Sequence, residues 1–174
     1  MYLANATRPD IAFVVNLLAR YSFAPTRRHW NGIKHILPYL KGTTDMGLLY
    51  FVNCIPNLVG YADAGYLSDP HKARSQTGYV FICGGTVISW RSTKQSIVAT
   101  SSNHAQIIAI HKASTECVWL RSMVHLIREK CGLKCDIVPT TLYEDNAACI
   151  AQLKGGFIKG DRTKHISPYL YLYT

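Results

Sequence analysis

The stretch SQTGYVFICGGTVISWRS, residues 75–92, constrains this chain more than any other. Its side chains alternate, with Tyr79, Phe81 and Cys83 on one face and Val80 and Ile82 on the other. Gly84-Gly85 then interrupts the pattern, and paired glycines accept the positive φ angles of a tight two-residue turn. The stretch therefore reads as a β-hairpin. Directly after it comes ATSSNHAQIIAIHKAS, which opens an amphipathic helix. Ser101 or Ser102 offers an N-cap, and Ile107, Ile110, Ala113 and Cys117 follow in steps of three or four. The helix is predicted to run over 102–131, with Gly132 as its C-terminal stop.

The flanks fit an α/β domain with a helical extension. LVGYADA and TTLYED read as strands, and NAACIAQLK as a helix opening straight after the second. In the N-terminal part, TRPDIAFVVNLLARYS is predicted to be a helix with Pro9 at or near its first position. Its apolar residues cover nearly the whole circumference, which predicts burial on several sides. APTRRHWNGIKHILPYLKGT reads as a second helix, capped near Thr26 and ended by Gly42, with Trp30, Ile33, Leu37 and Leu40 as its core stripe. Pro38 lies inside it and removes the hydrogen bond to the Lys34 carbonyl, at roughly 3 kcal/mol unless the helix bends or stops there. From MGLLYF onward the period changes from about 3.6 to 2. No internal repeat or low-complexity tract is present.

With 174 residues, 48% hydrophobic and 17% charged, the chain can bury one sizeable core and is not of disordered composition. Nineteen Lys and Arg against ten Asp and Glu leave a formal charge of +9, with 6 basic and 2 acidic residues in 1–52 and 13 and 8 in 53–174. A polyanion partner, RNA or DNA, is the simplest functional reading, and a generally basic surface is the plainer one. The cysteines at 54, 83, 117, 131, 135 and 149 form no CxxC pair and no zinc-type spacing, so free thiols are expected. No secretory signal is evident, and no apolar run is long enough to span a bilayer. The expected setting is soluble and intracellular, cytoplasmic or nuclear, with no membrane partner.

Asp63 ends the strand GYADA, and Asp145 ends LYED at the mouth of a helix. Acids at the ends of neighbouring strands can converge and hold Mg2+ for phosphodiester chemistry. Capping of the following helix accounts for Asp145 equally well.

Five stretches come in order: YLANATRPDIAFVVNLLARY, HWNGIKHILPYLKGTTDMGLLY, GYADAGYLSDPHKARSQTGYVFICGGTVISWRSTKQSIVATSS, LYEDNAACIAQL and RTKHI. Over nearly the whole chain they resemble the end of the reverse transcriptase and the ribonuclease H domain of copia-type retrotransposon Pol polyproteins. The resemblance implies a ribonuclease H-like fold, a mixed sheet flanked by helices, and an activity that cuts the RNA strand of an RNA–DNA hybrid. It implies two Mg2+ ions among four acidic side chains, activating the attacking water. Residues 1–52 would match the helical thumb or connection region of the reverse transcriptase, and 53–174 a C-terminally truncated ribonuclease H-like domain. The polymerase palm has no counterpart here, so no polymerase activity is expected.

The resemblance also implies site residues. The family's GYADAD puts its first acid on Asp63, and CDNQSA puts another on Asp145. Where the long helix of the family begins SSTEAEY, this chain has SSNHAQI, so His104 replaces the Glu taken as the acid and Gln106 replaces the second Glu. TKHID is here TKHIS, with Ser167 in place of the last acid. Two of the four acids remain. An imidazole nitrogen is a poor Mg2+ ligand, and losing two negative charges weakens a site for dications. His104 reads either as an ordinary first-turn residue or, with Asp63 and Asp145, as a transition-metal ligand. Glu144 is expected on the face opposite Asp145 by strand alternation. Gly65 and Tyr66 stand where the family has an acid and a Trp, and the tail SPYLYLYT leaves the family's helical pattern. Arg91, Lys94, Arg162 and Lys164 fall in matched segments and are candidate phosphate contacts, or else solvated surface charges. The expected function is a retrotransposon-derived, nucleic-acid-binding fragment with most or all nuclease activity lost. A working ribonuclease H with an altered metal site and a scaffold-only interaction module are the other readings.

Overall fold

The computed structural model describes residues 1–51, 57–69, 72–133 and 139–155. Helix α1 (Tyr2–Ala6) and a 3-10 turn (Pro9–Ile11) lead into α2 (Ala12–Ala19) and α3 (Arg27–Gly42). Strands β1 (Leu58–Asp69), β2 (Arg74–Cys83) and β3 (Thr86–Lys94) follow, then α4 (Ser102–Lys130), β4 (Thr141–Tyr143) and α5 (Ala147–Lys154). The four strands form one mixed sheet in the order β3-β2-β1-β4. β2 runs antiparallel to both β1 and β3, while β4 pairs parallel to β1. The architecture is the α/β one that the sequence predicts, with helices against a mixed sheet.

The hairpin forms as its alternation requires. Gly84 and Gly85 both have positive φ, 58° and 82°, the geometry of a turn that follows the twist of the flanking strands. Tyr79 and Phe81 are buried beneath α4 with Ile107, Ile110 and Ala113. Ala105 and Ala109 pack with Ala64 in a second cluster, and side chains this small let helix and sheet approach closely. α4 begins at a Ser101 cap and ends before Gly132, whose φ of 68° fits the predicted stop. Gly60 is where β1 allows no side chain, because a Cβ there would lie 2.5 Å from Phe81 Cε1 and 2.7 Å from Leu142 Cδ1.

The N-terminal helices form but are less buried than the sequence predicts. Of the segment after Pro9 only Ile11 and Ala12 are buried, and Phe13 is 49% exposed. The all-round apolar pattern overstates burial because α2 has the sheet on one side only. Helix α3 continues through Pro38 to Gly42, and its predicted core stripe faces outward, with Trp30 55% and Leu37 61% exposed. Tyr21 stacks on His29 at 3.9 Å near the start of α3, and polar contacts hold its C-terminal end. Arg8 donates to the Thr43 carbonyl at 3.1 Å and pairs with Asp10 at 2.7 Å, and the Tyr39 hydroxyl donates to Asp10 at 2.7 Å. Residues 46–51, where a period of 2 begins, form no strand; instead Tyr50 donates to the Val87 carbonyl at 3.2 Å, and Thr86 Oγ1 donates to the Leu49 carbonyl. Trp90 Nε1 donates to the Ala4 carbonyl at 2.7 Å, tying α1 to β3.

β1 is longer than LVGYADA predicts and carries an irregularity between Gly65 and Asp69. Cys83, Cys117, Cys131 and Cys149 are free thiols, as the spacing led us to expect. Cys54, Cys135 and the segment with Arg162, Lys164, Ser167 and the C-terminal tail lie outside the described residues. Among the described residues no helix is long and apolar enough to cross a membrane.

Two outcomes are expected. Replacing Gly60 by Ala forces Phe81 or Leu142 out of place, and urea unfolding should show a loss of about 1–3 kcal/mol. The hydrogen bond from Arg8, followed by that from Tyr39, holds the Asp10 carboxyl at about 2, below its usual 3.8. A lowered carboxyl adds stability that is complete above pH 4 and disappears as pH falls through about 2. Asp10→Asn should therefore lower the melting temperature at pH 6, and the gap to wild type should close between about pH 4 and pH 2.

Candidate functional site

Asp63 lies in β1 opposite Gly78 of β2, with the strand continuing beyond it rather than ending there. On its other side runs β4. The parallel register pairs Val59 with Thr141 and Tyr61 with Tyr143, and the two tyrosine rings stack at 5.2 Å. Continued by two residues, this register sets Asp63 level with Asp145. Asp145 is exposed and does not cap α5, because Asn146 does so by accepting from the Cys149 N–H at 2.9 Å. The capping alternative for Asp145 is thereby removed.

Glu144 falls on the α4 side with Leu142, as alternation predicts, in a cleft of about 380 Å3 that Ile110, Cys117 and Leu153 also line. Burial raises its carboxyl to about 7, assisted by the charges of Asp145 and Asp63, while the Asn146 N–H at 3.2 Å opposes the shift.

Near its start, α4 brings a further side chain to Asp63. Gln106 Nε2 donates to Asp63 Oδ1 at 3.0 Å. A carboxylate only accepts, so the nitrogen of the amide must face it. Gln106 is 6% exposed, and its Oε1 meets no hydrogen-bond partner. His104 is also buried, but its ring turns away: Nδ1 accepts from the Thr100 N–H at 3.3 Å and lies 3.1 Å from Thr100 Oγ1. Of the two helix positions where the family carries Glu, the structure brings Gln106 to Asp63. The signal was available, since Gln106 shares a stripe with Ile110 and Ala113 at i+4 and i+7, whereas His104 lies about 200° away from it.

Gln95 has no counterpart in the sequence reading. Fully buried, it donates from Nε2 to Thr77 Oγ1 at 3.0 Å and to the Ala105 carbonyl at 3.0 Å, joining β2 to the start of α4. The charged candidates separate. Lys94 Nζ stands 3.8 Å from the buried Asp69, which Arg20 also approaches at 3.7 Å. Arg91 is exposed and lies beside Tyr79 and Lys112; burial and then the Arg91 charge lower the Lys112 ammonium.

Mg2+ favours six oxygen ligands in near-octahedral array. Among the described residues no three His, Cys, Asp or Glu side chains gather as a group able to hold a metal ion. With Asp63 hydrogen-bonded by an amide, the donors present do not fit the two-metal arrangement that the resemblance implies.

No protein-family model and no solved structure matches the chain. Similar proteins are found among curated sequences. The chain is 41% identical over 120 residues to "Secreted RxLR effector protein 161" of Plasmopara viticola, a match covering 69% of this chain and 84% of that protein. It is 37% identical over 166 residues to "Retrovirus-related Pol polyprotein from transposon TNT 1-94" of Nicotiana tabacum, covering 95% of this chain and 12% of the polyprotein. To "Retrovirus-related Pol polyprotein from transposon RE2" of Arabidopsis thaliana it is 34% identical, over 95% of this chain and 11% of the relative. The chain spans about a tenth of the length of these polyproteins. Matches that run along almost all of its residues make the chain similar to one segment of retrotransposon Pol polyproteins.

Proposed function

We propose that this chain corresponds to the end of the reverse transcriptase and the ribonuclease H region of a Pol polyprotein, and that it binds an RNA–DNA hybrid without cutting it. Residues 1–52 supply the thumb or connection segment and 53–174 the ribonuclease H-like domain. The observation that carries this reading is the amide of Gln106 on the Asp63 carboxylate, where hydrolysis with two metal ions needs carboxylates on both sides of the ions. The +9 charge supports the binding half, with Arg91, Lys94, Arg162 and Lys164 as the phosphate contacts.

One observation favours a second reading, a module that uses the scaffold for protein interaction. The secreted effector is matched over 84% of its own length, so most of that protein corresponds to part of this chain.

Anisotropy of a labelled hybrid separates the two. Four phosphate contacts predict a log–log salt slope of about −3 to −4, and Arg91→Ala should reduce its magnitude by about 1. No cleavage is expected in Mg2+. Mg2+-dependent cleavage by the unaltered chain, abolished by Asp63→Asn, would instead establish a working ribonuclease H, and no binding at low salt would favour the interaction module.

A further inference from the structure

We infer that, among the described residues, the Gln106 amide closes Asp63 to divalent cations, and that Gln106→Glu lets Asp63 take one up. The inference rests on the reading above only for the idea that a cation belongs here. Its physical basis is the contact itself. The Gln106 Nε2 hydrogens point at Asp63 Oδ1 across 3.0 Å, the space a shared ion needs. Rotating the amide to offer Oε1 instead would remove the donor Asp63 has and bring a second acceptor against it.

Beside the contact one buried polar atom is left unsatisfied. The side chain is 6% exposed, and its Oε1 is buried without a partner, so an acceptor is already present next to Asp63 with nothing to accept from. Changing the amide nitrogen to oxygen keeps the shape of the side chain. It places two negative oxygens face to face, an arrangement that a divalent cation relieves. Position 104 cannot substitute, because its ring is turned to Thr100 on another side of the helix.

The test uses the whole chain with no nucleic acid present. Mn2+ is titrated to about 10 mM while free Mn2+ is followed by electron paramagnetic resonance and the melting temperature is recorded. The unaltered chain should take up no Mn2+ with saturation and show no shift. Q106E should melt lower without metal, recover as Mn2+ is added, and bind at least about tenfold more tightly than the unaltered chain. H104E should gain nothing, and Asp63→Asn in the Q106E background should abolish the gain. Saturable binding by the unaltered chain equal to that of Q106E overturns the inference, as does a gain in H104E instead or a gain that survives Asp63→Asn. A Q106E chain whose circular dichroism stays unfolded at the highest Mn2+ overturns it too. Failure of hybrid binding with this gain intact would count against the proposed function and leave the inference standing.

Discussion

One buried amide sets the height of α4 over the sheet. Gln95 follows β3, is fully buried, and spends both hydrogens of its Nε2 on partners from different elements, Thr77 of β2 and the Ala105 carbonyl in the first turn of α4. Its own N–H donates to the Ser75 carbonyl at 2.9 Å, so the bridge is anchored in the hairpin. Both Nε2 hydrogens are therefore satisfied inside, while Oε1 is buried without a partner, so the bridge is held through the nitrogen. That geometry puts Ala105 and Ala109 against Ala64, and Gln106, the next residue along, at Asp63.

What the sequence makes legible follows from how periodic each feature is. Residues 75–92 and the helix after them repeat a pattern over many positions, and their hairpin, faces, cap and stop form as the pattern predicts. In the N-terminal part the same logic overreaches. A helix apolar all round was expected to be enclosed, and α3 was expected to bury Trp30 and Leu37, but apolar periodicity reports only that a face can be buried. It does not say whether the described chain supplies something to bury it. Polar contacts that join Arg8 and Asp10 to Tyr39 and Thr43, far apart in sequence, help hold this part, and no periodicity announces them.

The site divides the same way. Asp63 stands in β1 and Asp145 two residues past the end of β4, and these two strands prove to be neighbours. The helix position was harder. Matching motif letters in order favours His104, while counting 100° per residue favours Gln106, and the structure follows the angle. Gln95 gave no signal in advance, because a lone polar residue between a strand and a serine-rich turn looks like solvent-exposed loop.

The Gln106–Asp63 contact also bears on what the fold needs in order to stand. Clustered carboxylates repel one another, and sites that hold them together lean on bound cations for part of their stability. Here the repulsion shows at Glu144, held near 7 by burial and by its two acidic neighbours. Asp63 is met by a neutral amide that supplies a donor without supplying charge. A neutral donor satisfies the carboxylate at any metal concentration, so this end of the sheet can pack with no ion as part of its core. An amide at position 106 therefore separates two properties that a carboxylate there would join, the folding of the domain and its occupancy by metal.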